Sequence, residues 1–432
     1  MKSKLKNNGT SDNNNKEGYN DKNKLKKYVN GPVNVVRLEG KMFGIDKVLY
    51  VFMDVHQPVT EQTKCDDVRS KDFAQYLVDN FDDISKKDKI YDFFLEIFPT
   101  WLSPNTVSIN KNIYLAEVRH LFIKSFYINR EKNIISRSNT FPNIRFHYMD
   151  IRDYIFGLNP FEIDDNITFV ERKGYVIPQD IEHIKKIIGQ VRGDIQSVYD
   201  IFYKSDIIGG AKKPAIPKSE EELGKYTAEE MRERLVQYVS KIRGRYKHPE
   251  VQKVVNLILD QYIEPIFKKV FILMDEYDSM LNKINSYLTI RPIDLVPADP
   301  SLEFYGPSYG LPYKTQSYII PDIITHWSTI FDTWIFLSAF LIDMYFIRRF
   351  LDKDYITNGI VYTGMLHSVA YIFTLMKYFD FKITHFHYLK ESPQKLQELV
   401  KKMDNMYDLK QYIYPPIIYQ CTNMSEFPPD FN

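Results

Sequence analysis

Cysteine is scarce in this chain of 432 residues, which contains two copies, Cys65 and Cys421. Two thiols exclude a disulfide framework and a thiolate-rich zinc site. Low cysteine usage suits a reducing compartment, so we expect a cytoplasmic location. Cys65 follows His56 closely, which raises a cysteine nucleophile as a hypothesis. A small buried side chain is the simpler interpretation of that cysteine.

An excess of charge and a long hydrophobic run are also lacking. The net charge is +1, and no basic-aromatic stripe indicates a nucleic-acid partner. The longest apolar run, Trp334 to Ile342, is too short to span a bilayer and predicts a buried core helix, so we expect no membrane span. No apolar segment at the amino terminus indicates a secretory signal. No glycine-rich phosphate loop follows a strand pattern.

The chain does contain alternating strand and helix patterns on either side of a long helical block. Residues 1–30 are polar and predict a disordered tail. Residues 31–159 and 321–415 predict two halves of one α/β domain, residues 160–320 a helical insertion or lid, and residues 416–432 an irregular tail. The fold class predicted is therefore α/β, with a central mixed, mostly parallel sheet, flanking helices and a large helical insertion.

Three predicted strands end on acidic or imidazole side chains. These ends are Asp54 with His56 after VLYVFM, Glu96 after IYDFFL, and His367 one turn beyond IVYT. Ligands bind at the carboxyl edge of open α/β sheets, so we expect these groups to converge there if the strands are parallel neighbours. Gly364, in the turn before His367, would let the backbone approach a ligand closely.

Two imidazoles and a carboxylate can do two kinds of chemistry. With open positions they form a catalytic set for a divalent metal such as zinc or iron. Without a metal, one imidazole activates water and a carboxylate orients it. Each group also has a simpler interpretation. Glu96 would cap a helix or pair with a lysine, His367 would cap a helix, and Asp54 would accept backbone amides.

These same residues resemble the motifs of a known superfamily, that of ChaN-like proteins, erythromycin esterases and TraB/TIKI proteins. The letters FMDVH, ending at His56, resemble the Gly-Glu-x-His motif that ends the superfamily's first strand. The letters VYTGMLH, ending at His367, resemble its carboxy-terminal Gly-x-x-His motif, and FFLE, ending at Glu96, resembles its second-strand carboxylate. A helical insertion between the two halves is also usual there.

The resemblance implies a site and an activity. Asp54, His56, Glu96 and His367 would form the active site and the ligand set of a divalent metal of unknown identity. TIKI-type members are metal-dependent proteases, erythromycin esterases are hydrolases that use activated water, and ChaN binds haem. We therefore expect a hydrolase that acts on a small-molecule or peptide substrate, with or without a metal.

Departures from the motif favour a competing class of protein. Met53 stands where the superfamily has Gly, and Asp54 stands where it has Glu. A non-catalytic binding or virion-associated scaffold that retains the fold would tolerate both changes. At the end of a third predicted strand, Arg152 is a candidate to clamp a substrate carboxylate or phosphate. The simpler interpretation of Arg152 is an ion pair with a nearby aspartate.

The composition carries one more resemblance. Chains rich in Lys, Asn, Ile and Tyr, such as this one, are similar to proteins of giant DNA viruses. By that resemblance the cytoplasmic location would be the host cytoplasm or the virion.

Overall fold

The computed structural model describes residues 27–84, 86, 88–97, 112–129, 134–135, 138–204, 228–289 and 313–431. Most of the predicted disordered tail, residues 1–26, lies outside the described residues. The last residues of that predicted tail are ordered, because Tyr28–Asn30 forms a strand that pairs with two others. For these residues the prediction of disorder was wrong.

Eleven strands occur in the described part of the chain. In chain order they are β1 Tyr28–Asn30, β2 Asn34–Met42, β3 Ile45–Asp54, β4 Lys71–Asp72, β5 Tyr91–Leu95, β6 Ile128–Asn129, β7 Ile134–Ile135, β8 Ile144–Tyr148, β9 Asn358–Gly364, β10 Lys382–Phe386 and β11 Cys421–Asn423. Six of them form the central sheet, in the order β10-β2-β3-β9-β5-β8. The β3–β9, β9–β5 and β5–β8 pairs are parallel, and the other two pairs are antiparallel. The predicted mixed, mostly parallel sheet is confirmed.

The β2–β3 hairpin delivers the first site strand into the middle of this sheet. Gly44 makes the turn with a φ of 82°, which a residue without a Cβ adopts at little cost. Residues from Leu49 to Asp54 are all buried, because β3 is an inner strand and a hydrophobic core covers each face of the sheet. A continuous apolar run of this kind is typical of a strand covered on both faces.

Twelve helices are described, and most lie in the block between the two halves of the sheet. They are α1 Phe73–Ile84, α2 Ile113–Ser125, α3 Arg152–Ile155, α4 Pro160–Lys173, α5 Pro178–Tyr203, α6 Ala228–Arg243, α7 Pro249–Ile258, α8 Glu264–Thr289, α9 Tyr313–Asp352, α10 Met365–Phe379, α11 Pro393–Lys402 and α12 Lys410–Ile413. A single π-helical turn, Leu259–Ile263, joins α7 to α8. The large helical insertion is confirmed.

The sheet separates two hydrophobic cores. On one face, α1 and α2 contribute apolar stripes such as Phe73, Leu77 and Phe122, which pack with Phe52 and Tyr362 of the sheet. On the other face, α9 and α10 cover the sheet, and the insertion helices pack outward from α9. The two layers hold the carboxyl edge of the parallel strands in a fixed frame.

Helix α9 is the longest element and crosses the predicted boundary at residue 320. Its stretch Tyr318–Asp352 is long and apolar enough to cross a membrane, yet 78% of its most apolar window is buried inside the protein. Trp327 and Trp334 on this helix are fully buried. Such burial is what a core helix of the fold requires, and the same helix brings an aspartate to the site.

The carboxy-terminal residues are more regular than their composition predicted. Within the predicted irregular tail, β11 pairs antiparallel with β1, and β1 pairs in turn with β4. The two cysteines form a disulfide between Cys65 and Cys421, with 5.0 Å between their Cα atoms. Residues Cys421–Asn423 of the predicted irregular tail are thus part of a strand, and Cys65, predicted as a small buried side chain or a nucleophile, is instead partly exposed and disulfide-bonded.

Candidate active site

Strand register brings the predicted site residues to one edge of the sheet. Asp54, the last residue of β3, lies opposite Gly364, the last residue of β9. On the other side of β9, the Glu96 amide donates to the Tyr362 carbonyl at 3.2 Å, so Glu96 reaches the same level. His56 follows β3 by two residues. His367 occupies the first turn of α10.

Five side chains form one row that alternates between carboxylates and imidazoles. Asp54 Oδ2 lies 3.1 Å from Nδ1 of His56, and Nε2 of His56 lies 3.7 Å from Oε2 of Glu96. Glu96 Oε1 lies 3.0 Å from Nε2 of His367. Nδ1 of His367 lies 2.6 Å from Oδ1 of Asp343. We call these five residues, in this order, the acid–imidazole row.

Glu96 is the centre of the row and is held from four directions. Besides the two imidazoles, Oε2 accepts a hydrogen bond from the Thr363 hydroxyl at 2.8 Å and another from the Gly364 amide at 2.6 Å. A Cβ on Gly364 would lie 3.2 Å from His56 Nε2 and 3.4 Å from Glu96 Oε2. The glycine therefore allows the backbone to lie close to His56 and Glu96, and the carboxylate has little freedom to move.

Asn112 fixes the outer end of the row. Its side-chain nitrogen donates to Asp54 Oδ2 at 2.6 Å and lies 3.3 Å from Nδ1 of His56. Its side-chain oxygen accepts the Leu115 amide at 3.1 Å, which makes Asn112 the N-cap of α2. One buried amide thus ties a helix start to the first carboxylate of the row.

Only one member of the row meets solvent. The exposed fraction of the side chain is 42% for His56, against 0% for Asp54, 9% for Glu96, 6% for His367 and 2% for Asp343. A molecule that approaches the carboxyl edge therefore meets the His56 imidazole first.

The charges in the row hold His56 in its protonated form. Burial alone would lower the pKa of His56, but hydrogen bonds to Asp54 and Glu96 outweigh burial and raise the pKa to about 10. For Glu96, burial favours the neutral acid, yet the charge of His367 and the bonds to both imidazoles keep its pKa well below the usual range. At neutral pH this half of the row is an ion pair.

The pKa values of His367 and Asp343, at the buried end of the row, are shifted by the same balance of burial and neighbouring charge. Burial opposes a charge on His367, but Glu96 and Asp343 on its two sides raise its pKa well above the ordinary value. Burial raises the pKa of Asp343 to about 6, against the opposing charge of His367. Because three carboxylates face two imidazoles, the row attracts positive charge, whether as protons or as a cation.

The contacts of the ring nitrogens determine which atoms could bind a cation. Asp54 and Asp343 occupy Nδ1 of the two imidazoles, and both Nε2 atoms face Glu96. This is the arrangement of carboxylate–histidine–metal sites, in which the outer carboxylate orients the ring. Asp54 lies on the far nitrogen from Glu96 and therefore fits an orienting role better than a ligand role. As the side chains stand, no group of three or more His, Cys, Asp or Glu among the described residues is arranged to hold an ion.

Arg152, the predicted substrate clamp, lies at the start of α3 and forms an ion pair with Asp150. Its Nε donates to Asp150 Oδ1 at 3.0 Å, and its Nη2 contacts Oδ2 of the same carboxylate. This is the simpler of the two interpretations of the sequence. The pair occupies the guanidinium face that would bind a substrate anion.

Two members of the site, Asp343 and Asn112, were not predicted. Asp343 lies on α9 in the middle of a long apolar stretch, and a charged residue inside a buried helix was the only signal available for it. Asn112 precedes a helix pattern, which predicts an N-cap but not a contact with a residue 58 positions away.

The fold and site define a class of α/β proteins with a histidine–carboxylate site at the carboxyl edge of a mixed sheet. Within that class, this chain belongs to the "Family of unknown function (DUF5847)", whose model matches residues 27–432.

Relatives in Acanthamoeba polyphaga mimivirus are similar over nearly the whole chain. "Uncharacterized protein R706" is 37% identical and covers 93% of this chain and 96% of its own length. "Uncharacterized protein R161" is 32% identical and covers 93% and 98%, and "Uncharacterized protein R160" is 32% identical and covers 94% and 97%. These relatives fit the predicted likeness to giant-virus proteins. None of them supports the resemblance to the ChaN-like superfamily. No solved structure matches the chain.

Proposed function

We propose that this chain is a hydrolase and that His56 is the group that contacts the substrate. The observation that carries the proposal is the acid–imidazole row, in which a single half-exposed imidazole is backed by four buried titratable groups. Perturbed pKa values concentrated at one sheet edge are typical of catalytic sites. The resemblance of these short motifs to those of the esterase and TIKI-type superfamily, with Met53 and Asp54 as departures, implies the same class of reaction.

His56 can serve as both acid and base in one hydrolytic cycle. Its imidazolium donates a proton to the leaving oxygen or nitrogen of an ester or amide while water attacks the carbonyl carbon. The neutral imidazole that results accepts the proton that the water loses, which restores the starting state. Asp54 contacts Nδ1 and orients the His56 ring. Glu96 stabilises the positive charge of the ring whenever His56 is protonated.

His367 and Asp343 position Glu96 rather than contact substrate, because both are buried behind it. Their contribution is to hold the carboxylate ionised and in one orientation. A shift of Glu96 by a fraction of an ångström would change its distance to His56 Nε2, so the inner half of the row affects the rate through the outer half.

A second form of the proposal places a divalent cation where the protons now lie. Nε2 of His56, Glu96 and Nε2 of His367 would hold it, with Asp54 and Asp343 as the orienting carboxylates. Such an ion, when bound, supplies a water of lowered pKa. The excess of carboxylates over imidazoles supports this form.

Hydrolysis of a substrate panel tests the proposal. The parent protein, His56→Ala and the exposed control His120→Ala are assayed on p-nitrophenyl acetate, p-nitrophenyl phosphate and labelled casein, each with EDTA or with added Mn²⁺ or Zn²⁺. We expect turnover by the parent, a loss of about 100-fold or more in His56→Ala, and no more than a twofold change in His120→Ala. Activity only with added metal would select the cation form.

A parent that hydrolyses nothing under any of these conditions would contradict the proposal and favour the binding or virion-associated scaffold. Turnover that survives unchanged in His56→Ala would place the chemistry elsewhere in the molecule.

A further inference from the structure

The loop that carries His56 is poorly anchored in the two hydrophobic cores, because Val55 is the one residue of the loop that packs against a core. From Val55 to Ser70, the segment we call the site loop, no residue is buried. Its short 3₁₀ turn, Val59–Glu61, buries no side chain, and Val68 is 98% exposed. Segments that lack buried apolar contacts open at low free-energy cost. Beyond Val55, the position of this loop must therefore come from polar contacts and covalent bonds.

Those contacts come mostly from the carboxy-terminal segment. Gln420 is fully buried and clamps the loop through three hydrogen bonds. Its side-chain oxygen accepts the Thr63 amide at 3.1 Å, and its backbone amide donates to the Thr63 hydroxyl at 2.7 Å. Its side-chain Nε2 donates to the Val55 carbonyl at 3.4 Å. Val55 is the neighbour of His56 in the chain. The clamp thus acts one residue from the exposed member of the acid–imidazole row.

The disulfide fastens this clamp. Cys421 follows Gln420 directly and is bonded to Cys65, two residues after Thr63. These are the two cysteines of the chain, and 356 residues separate them in sequence. The Cys65 amide also donates to the Asn30 side chain at 2.8 Å, which ties the loop to β1. Both cysteines are partly exposed, so a thiol reagent can reach them.

We propose that the Cys65–Cys421 disulfide is a redox-controlled lock that holds the site loop, and with it His56, against the carboxy-terminal segment. Formation follows thiol–disulfide exchange with a small disulfide such as oxidised glutathione. The two cysteine thiols lose two protons and two electrons, one S–S bond forms, and the oxidant is reduced to two glutathione thiols. A dithiol reverses the reaction. In the reduced state the loop keeps its hydrogen bonds and the Val55 contact but loses the covalent bond, and it opens more often.

Hydrogen–deuterium exchange read by mass spectrometry tests the lock without a substrate. The full chain is compared after treatment with oxidised glutathione and with dithiothreitol, beside a Cys65→Ser/Cys421→Ser double variant. We expect exchange in peptides that cover residues 57–66, including the Thr63 and Cys65 amides, to rise about tenfold or more on reduction. Peptides from α10 should stay within twofold. The double variant should match the reduced protein and ignore dithiothreitol.

Three results would overturn the proposal. One is equal exchange of the loop in the oxidised and reduced protein. A second is an equal rise in α10 and the loop, which would make the bridge a general fastener of the fold. The third is full alkylation of both thiols after treatment with oxidised glutathione. As regulation of the site, the inference rests on the proposed hydrolase function, but exchange requires no turnover. If the protein shows no hydrolytic activity but its loop responds to reduction, the hydrolase proposal is contradicted and the redox proposal is supported.

Discussion

Replacing Glu96 with Gln tests the charge balance of the acid–imidazole row. Gln has the shape of Glu but no charge, and its amide nitrogen would face either the Thr363 and Gly364 donors or His367 Nε2. Removing one partner of a buried ion pair costs roughly 3–5 kcal/mol, and one lost charged hydrogen bond accounts for about 1.5–3 kcal/mol of that. We expect Glu96→Gln to lower the free energy of unfolding by about 3–5 kcal/mol near pH 6.5.

The loss of unfolding free energy in Glu96→Gln should depend on pH, and the pKa values of the two imidazoles determine the direction of that dependence. The folded pKa of His56 is about 10, above the ordinary value of about 6.5 that holds in the unfolded chain. The stabilisation from the charged imidazole is therefore complete below about pH 6.5 and is lost as the pH rises through about 10. His367 shifts in the same direction. The difference between parent and Glu96→Gln should shrink as the pH approaches 10.

Urea unfolding at pH 6.5, 8 and 10 measures this difference, with the exposed helix residue Glu171 changed to Gln as the matched control. Glu171→Gln should stay within about 0.5 kcal/mol of the parent at every pH. A cost below about 1 kcal/mol for Glu96→Gln at pH 6.5, or a cost that does not vary with pH, would refute the ion-pair account of the row.

Two further substitutions test how the row is held. Asn112→Ala removes the N-cap of α2 and the donor to Asp54, so we expect thermal denaturation to show a loss of about 1–2 kcal/mol; a loss below about 0.5 kcal/mol would contradict this. Gly364→Ala places a Cβ against His56 and Glu96, so we expect at least a tenfold loss of any hydrolytic activity. The control is Gly189→Ala, whose new Cβ has no atom within 4 Å. It should leave activity unchanged and raise the free energy of unfolding by about 0.5–1 kcal/mol. Equal effects of the two glycine changes would show that close packing at Gly364 does not matter.

Local patterns were enough to predict the parts of the site that lie on parallel strands. The run that ends at Asp54 and the strand–turn–helix pattern around Gly364 each signal a strand end within a few residues. Their convergence followed from a general rule of parallel sheets, and the register of β3 on β9 confirms it. The position of Glu96 follows from the same rule, applied to β5, the strand that precedes it.

The rest of the site depends on contacts between distant parts of the chain. Asp343 approaches His367 because α9 packs across the sheet, and the apolar pattern of that helix does not say which turn faces the site. The Cys65–Cys421 bond joins residues 356 apart, and two cysteines alone do not indicate whether they meet. Strand β11 was missed for a related reason. Three residues among prolines carry no periodic signal, and their order comes from pairing with β1.

Nitrogen NMR titration of the histidine side chains tests the central claim most directly, because it reads the acid–imidazole row without a substrate. We predict that the His56 imidazole titrates with a midpoint of about 10, that His367 stays protonated well above its ordinary range, and that both midpoints fall in Glu96→Gln. A His56 midpoint near 6.5 that does not move in Glu96→Gln would contradict the account, because the exposed imidazole would then be independent of the buried carboxylates.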